Sequence, residues 1–217
     1  MKFTVKRSNN KEDKEFKQRI YLTIRSRDLI KNIPDLLIYK YLNKDLIIVL
    51  KSNCDNEDNR LFETIKSKQD TLGITGLSRY ILNSDIKKYN ISKEEIFKIA
   101  IKNFDNLNIP LDIINSKKDI IIVPKWDVKS EYGEDIIYSH LLSKKSINLL
   151  KKKLGSQFYI RLSNYETFIA FNKGISKENW SRIKNISLDS YNKNPHPLSN
   201  KLYLFSNKRL ILSKEKY

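Results

Sequence analysis

The longest uninterrupted apolar runs in this chain are of strand length, and that bound decides most of what it can fold into. Leu46-Ile47-Ile48-Val49-Leu50 is one such run, whereas a membrane-spanning helix needs ~20 apolar residues. Apolar surface must therefore be gathered from short strands and from helices that are apolar on one stripe. The chain supplies both.

Three stretches read as helices with their own start signals. Ser92 and Glu95 form a Ser-x-x-Glu box before Ile96, Ile99, Ala100 and Phe104, a spacing that puts one stripe on a core. Residues 135–154 read as a helix broken in two, with Ser143 capping the second piece, Ile147, Leu150 and Leu154 as its stripe, and Gly155 as its stop. Ser176 caps a third, where Ile175 and Trp180 can close a hydrophobic staple. An earlier helix is expected from Lys11 to about Ile24, because Phe16, Ile20 and Ile24 recur every four residues.

Paired apolar runs around short polar connectors read as hairpins: 36–42 with 46–51 about Asn43-Lys44-Asp45, 158–162 with 167–171 about Ser163–Glu166, and 202–205 with 210–212 about Asn207-Lys208. Residues 120–123 read as a buried strand, and residues 2–7 as a short first strand. Residues 52–60 read as a polar loop and 61–65 as a short helix. Gly73 and Gly76 then mark a turn, which puts the expected boundary between an N-terminal subdomain (1–70) and a second domain (71–217) near residue 70. The expected fold class is α+β: a mainly antiparallel sheet with packed helices at 92–106, 135–154 and 177–190, preceded by a small α-β-β unit that can pack with it as one body.

A single cysteine, Cys54, rules out an internal disulfide framework and multi-cysteine metal sites, and points to a reducing, cytoplasmic setting. Charges at the start of the chain are followed by no apolar stretch of signal-peptide type, so neither a leader nor a membrane span is expected. The formal charge of +17 attracts polyanions through its long-range field. Lysine, asparagine and isoleucine are all abundant, as AT-rich codon usage produces, yet glutamate shares that codon bias and has not kept pace. A polyanion partner and a merely solvated basic surface both remain open.

Reacting groups are scarce. Five glycines form neither a phosphate-cradling loop nor a dinucleotide fingerprint, and His140 and His196 lack metal-ligand spacing. Asp55-Asn56-Glu57-Asp58-Asn59 resembles the start of a calcium loop, but Arg60 stands where the turn needs glycine and Lys66 where the closing carboxylate belongs. Gly73-Ile74-Thr75-Gly76 has the form of a nucleic-acid-clamping loop without its charges. Asp112 with Asp127-Val128-Lys129 loosely resembles the acidic pair and lysine of metal-dependent nucleases. Aromatics and a cation interleave in Tyr159, Arg161, Tyr203 and Phe205, a pattern that serves either a stacking platform for single-stranded bases or packing in a half-buried strand.

Several segments together are similar to the YtpQ-like family of bacterial proteins, a domain of unknown function. They are Ile91-Ser92-Lys93-Glu94-Glu95-Ile96 with its continuation to Phe104, then Ile137-Tyr138-Ser139-His140-Leu141-Leu142, residues 158–171, and Pro197-Leu198-Ser199-Asn200-Lys201-Leu202-Tyr203. Their order and spacing resemble the family's across roughly residues 80–213. Tyr165 stands where the family has arginine and Glu166 where it has aspartate. The resemblance implies a cytoplasmic α+β fold and brings no catalytic residue.

The expectation is thus a non-catalytic cytoplasmic binding protein that recognises a protein partner and holds no cofactor or metal. A nucleic-acid-binding accessory protein is the alternative, and a metal-dependent nuclease a further one. Candidate binding residues are Tyr159, Arg161, Asn164, Tyr165, Glu166, Tyr203 and Phe205.

Overall fold

The computed structural model describes residues 10–53, 78–116, 119–124, 134–164, 167–194, 197–207 and 209–214. The first elements in chain order are helix α1 (Asn10–Gln18), strand β1 (Ile20–Ser26), the short helix α2 (Arg27–Ile30), β2 (Ile38–Tyr41), β3 (Leu46–Asn53) and β4 (Ser78–Tyr80). Helices α3 (Asn83–Lys88) and α4 (Lys93–Leu107) follow, then β5 (Leu111–Ser116) and β6 (Asp119–Pro124). A 3-10 helix (Glu134–Leu141), α5 (Lys144–Leu154), β7 (Phe158–Arg161), β8 (Ile169–Asn172), α6 (Lys177–Lys193), β9 (Leu202–Ser206) and β10 (Arg209–Leu212) complete the described chain.

Helices packed on antiparallel sheets make this an α+β fold, with a small N-terminal helix-and-strand unit. The three later helices start where local chemistry places them. The hydroxyls of Ser92, Ser143 and Ser176 accept the amides of Glu95, Ser146 and Asn179, so each satisfies an amide that has no partner within its helix. Asn108, in the left-handed region at φ 49°, ends α4, and Gly155 at φ 96° ends α5. The segment expected to be a broken helix is broken as read, but its first piece is the tighter 3-10 form.

In the first sheet β3 is central. β1 lies antiparallel on one side, while β2 and β4 share the other, against residues 47–49 and 51–53 respectively. The second sheet runs β10-β9-β7-β8-β6-β5 with every neighbouring pair antiparallel. Its two faces are covered differently: Leu150 and Leu154 of α5 and Tyr138 of the 3-10 helix pack on Phe158, Ile160, Tyr203 and Phe205, while Trp180 and Ile183 of α6 pack on Tyr159, Phe171 and Leu202.

The two sheets share a core. Ile24 of β1 and Leu46 of β3 belong to the same buried cluster as Tyr138, Leu162, Tyr203 and Leu210. On the neighbouring side Ile96 and Ala100 of α4 pack with Phe16, Leu22 and Ile48. Polar contacts fix the junction: the Asn103 side-chain amide donates to the carbonyls of Lys17 and Ile20, at 2.8 and 2.9 Å, and the Ser139 hydroxyl to that of Leu22 at 2.7 Å. No helix among the described residues is long and apolar enough to cross a membrane.

The expected first helix is corrected. It ends at Gln18, and Ile20 and Ile24 lie in β1, where Ile20, Leu22 and Ile24 alternate on one face. A spacing of four satisfies a strand's period of two as well as a helix's, and pairing with β3 selects the strand. β3 also runs on to Asn53, two residues into the expected loop. β4, α3 and β5 were not expected. The readings at residues 2–7, 54–65, Gly73, Gly76 and the boundary near 70 lie outside the described residues.

Candidate functional site

The structure separates the residues expected to form a stacking platform. In the β7–β9 register Phe158 lies opposite Phe205 and Ile160 opposite Tyr203, so Tyr203 and Phe205 share the α5 face, whereas Tyr159 and Arg161 are on the α6 face. All four are buried. Tyr159 meets Trp180 edge-on with ring centroids 6.1 Å apart, and Phe205 stacks on Phe158 at 4.8 Å. The platform reading is corrected on this ground: the ring faces a base would need are occupied by the protein's own side chains.

Arg161 sits 5.7 Å from the Trp180 ring and donates to the Asn200 carbonyl at 3.0 Å, and burial pushes its pKa down. Asn164 shapes its own loop. Its carbonyl oxygen atom Oδ1 accepts from the Thr167 amide at 3.1 Å, its Nδ2 donates to the Ser190 hydroxyl at 2.8 Å, and its backbone carbonyl accepts the Tyr138 hydroxyl. Tyr165, Glu166, His196, Cys54, the acidic run 55–59 and Asp127-Val128-Lys129 lie outside the described residues. Asp112 is exposed on β5.

What the fold does build is an apolar pocket where the two sheets meet. A cavity of about 200 Å³ is lined by Ile24 and Ile48 of the first sheet, Tyr39 and Lys40 of β2, Leu42, Phe97 of α4, Leu141, Leu142, Phe205 of β9 and Leu210 of β10. Tyr39 and Phe97 stack with centroids 3.9 Å apart and planes within 8°, forming one wall. Lys93, one helical turn before Phe97, holds its ammonium 5.8 Å from the Tyr39 ring centre, and Lys151 of α5 stands equally far from that of Phe205. Lys40 is exposed at the mouth. Among the described residues none of these three ammonium groups lies in an ion pair. The pocket thus has mainly apolar walls, with Lys40 at its lining and two more lysines beside its aromatic wall residues.

Among the described residues no His, Cys, Ser, Asp or Glu lines it; its polar groups are the Tyr39 hydroxyl and the Lys40 ammonium. His140 lies one residue inward, with Nδ1 2.8 Å from the Ser146 hydroxyl and its ring edge-on to Phe104 at 4.7 Å. The pair has the separation of a base and a nucleophile, but His140 and Ser146 are both buried, Nε2 has no hydrogen-bond partner among the described residues, and burial pushes the imidazole down to about 4. Asp119, the other buried acid of note, starts α6 instead. It accepts from the Ser176 amide at 2.7 Å, the Ser176 hydroxyl at 2.5 Å and Asn179 Nδ2 at 2.6 Å, and these bonds hold its carboxyl below the usual range. Among the described residues no three His, Cys, Asp or Glu side chains converge as metal ligands would.

No family model, curated protein or solved structure matches this chain. The family resemblance rests on the residues quoted for it, and the pocket must be read from its own chemistry.

Proposed function

We propose that this chain is a non-catalytic cytoplasmic binding protein that recognises a protein partner. One observation carries the reading: the pocket at the junction of the sheets is walled mainly by apolar side chains beside lysine charge, and among the described residues no His, Cys, Ser, Asp or Glu lines it. Such a site is suited to holding an apolar group beside a charged one. Its volume of about 200 Å³ suits an apolar side chain projecting from a larger body, and burying one such side chain contributes ~1.5–3 kcal/mol.

The experiment is affinity capture from the native host with three baits: wild type, Leu142→Asn in the pocket wall, and Ile186→Asn, exposed on α6. The expected result is a protein retained by wild type and the α6 variant and lost with Leu142→Asn, at unchanged thermal midpoint. Equal recovery on all three baits refutes the pocket as the site.

Nucleic-acid binding is the second reading, favoured by the +17 charge and by α5, where Lys144, Lys145, Lys152 and Lys153 are exposed. It requires affinity for DNA or RNA that exceeds affinity for heparin and falls linearly in log K against log salt with a slope reflecting several phosphates.

A further inference from the structure

We infer that the partner presents an acidic extended segment, which adds as a strand to the open edge of β10 and sets an apolar side chain into the pocket. The inference rests on the protein-partner reading and names that partner's chemistry.

Among the described residues β10 is the last strand of its sheet and pairs only with β9. The Ser213 amide donates to the Leu202 carbonyl at 2.9 Å, in line with the β9–β10 register, so residues 209, 211 and 213 exchange their hydrogen bonds with β9. By alternation, the amides and carbonyls of Leu210 and Leu212 point to the open side. A segment pairing there finds two donors and two acceptors in line. Leu210 and Leu212 also share a sheet face, and Leu210 lines the pocket while Leu212 is 42% exposed. Every second residue of an added strand therefore lies on the pocket's side.

Charge chooses the occupant. Lys40 lines the pocket, and Lys93 and Lys151 stand near Tyr39 and Phe205 of its wall; none has a carboxylate partner among the described residues, and together they attract an acidic segment. A second copy of this chain brings another +17 and is repelled. A nucleic acid has neither a strand edge to pair with β10 nor an aliphatic side chain for the cavity.

The test is fluorescence polarisation of the full chain with a labelled peptide of alternating glutamate and isoleucine, and with its lysine–isoleucine counterpart. Variants are Leu212→Pro, which removes an outward amide while leaving the bonds to β9, Lys151→Glu beside Phe205, and Lys177→Glu, the same charge change at the start of α6. The acidic peptide is expected to bind wild type and Lys177→Glu alike, and to bind Leu212→Pro and Lys151→Glu at least about tenfold more weakly. The basic peptide should not compete. Lys151→Glu leaves the edge intact, so its result stands even if Leu212→Pro lowers the melting point. Equal affinity across the variants overturns the inference, as does an equal loss in Lys177→Glu. So does a dimer in sedimentation that Leu212→Pro dissolves, which would make a second copy the occupant, or single-stranded RNA binding that the same variant removes. The broader protein-partner reading is judged separately, by the Leu142→Asn capture.

Discussion

Acid should destabilise this protein through one imidazole before its carboxylates titrate. His140, in the 3-10 helix, meets the rings of Phe104 and Phe168 edge-on and is 2% exposed, and burial takes its pKa from 6.5 to about 4. The folded state thus resists the proton that the unfolded chain accepts. Stability is full above pH 6.5, falls as pH drops from there toward 4, and levels off once the folded state also protonates. A gap of about 2.5 pH units at 1.36 kcal/mol per unit makes the loss about 3 kcal/mol. That is a large share of the 5–15 kcal/mol typical of a domain. Urea titrations from about pH 7 to about pH 4.5 on wild type and His140→Gln measure it, because glutamine retains a polar group for Ser146 but cannot titrate. Glu12, Asp35 and Asp119, whose pKa values are lowered by hydrogen bonds, also cost stability in acid, but equally in both proteins. Wild type should therefore lose about 2 kcal/mol more than the variant across this window, most of the full difference. Parallel curves would refute the burial argument.

Trp180→Ala should destabilise by about 3–5 kcal/mol in urea, since the indole is 8% exposed against Tyr159 and Phe171, and an unchanged midpoint would contradict that packing. Tyr159→Ala should likewise act on stability, shifting the thermal midpoint while leaving weak polyanion binding as it was; a selective loss of single-strand affinity at constant midpoint would restore the stacking role. Asp119→Ala removes the acceptor of three donors at the start of α6 and should cost about 1–2 kcal/mol, read as a lower urea midpoint; no change would mean solvent replaces those bonds.

What could be read from sequence followed the range of the interactions involved. The starts of α4, α5 and α6 were legible because a serine hydroxyl caps an amide three residues on, and the hairpins because their connectors are short. β1 was hidden by an apolar spacing that suits two periods, and β5 by the exposure of Asp112, Ile114 and Asn115, which leaves no buried run. The faces of Tyr159 and Phe205 depend on β9 returning beside β7 after α6, a pairing no local pattern encodes. The pocket was invisible for the same reason, since Tyr39, Phe97, Leu142 and Leu210 come from four distant segments. Its one local trace is Phe97, an aromatic beside rather than on the Ile96–Ala100–Phe104 stripe.

The shared cluster of Ile24, Leu46, Tyr203 and Leu210 also sets an order of events during synthesis. Translation at ~5–20 residues per second delivers the first sheet on the order of ten seconds before β9 and β10 leave the ribosome. Throughout that interval the nascent chain holds Ile24 and Leu46 without their final cover. A ribosome stalled before β9 should therefore yield a product that chaperones retain and that precipitates once released, whereas the finished chain closes its own core.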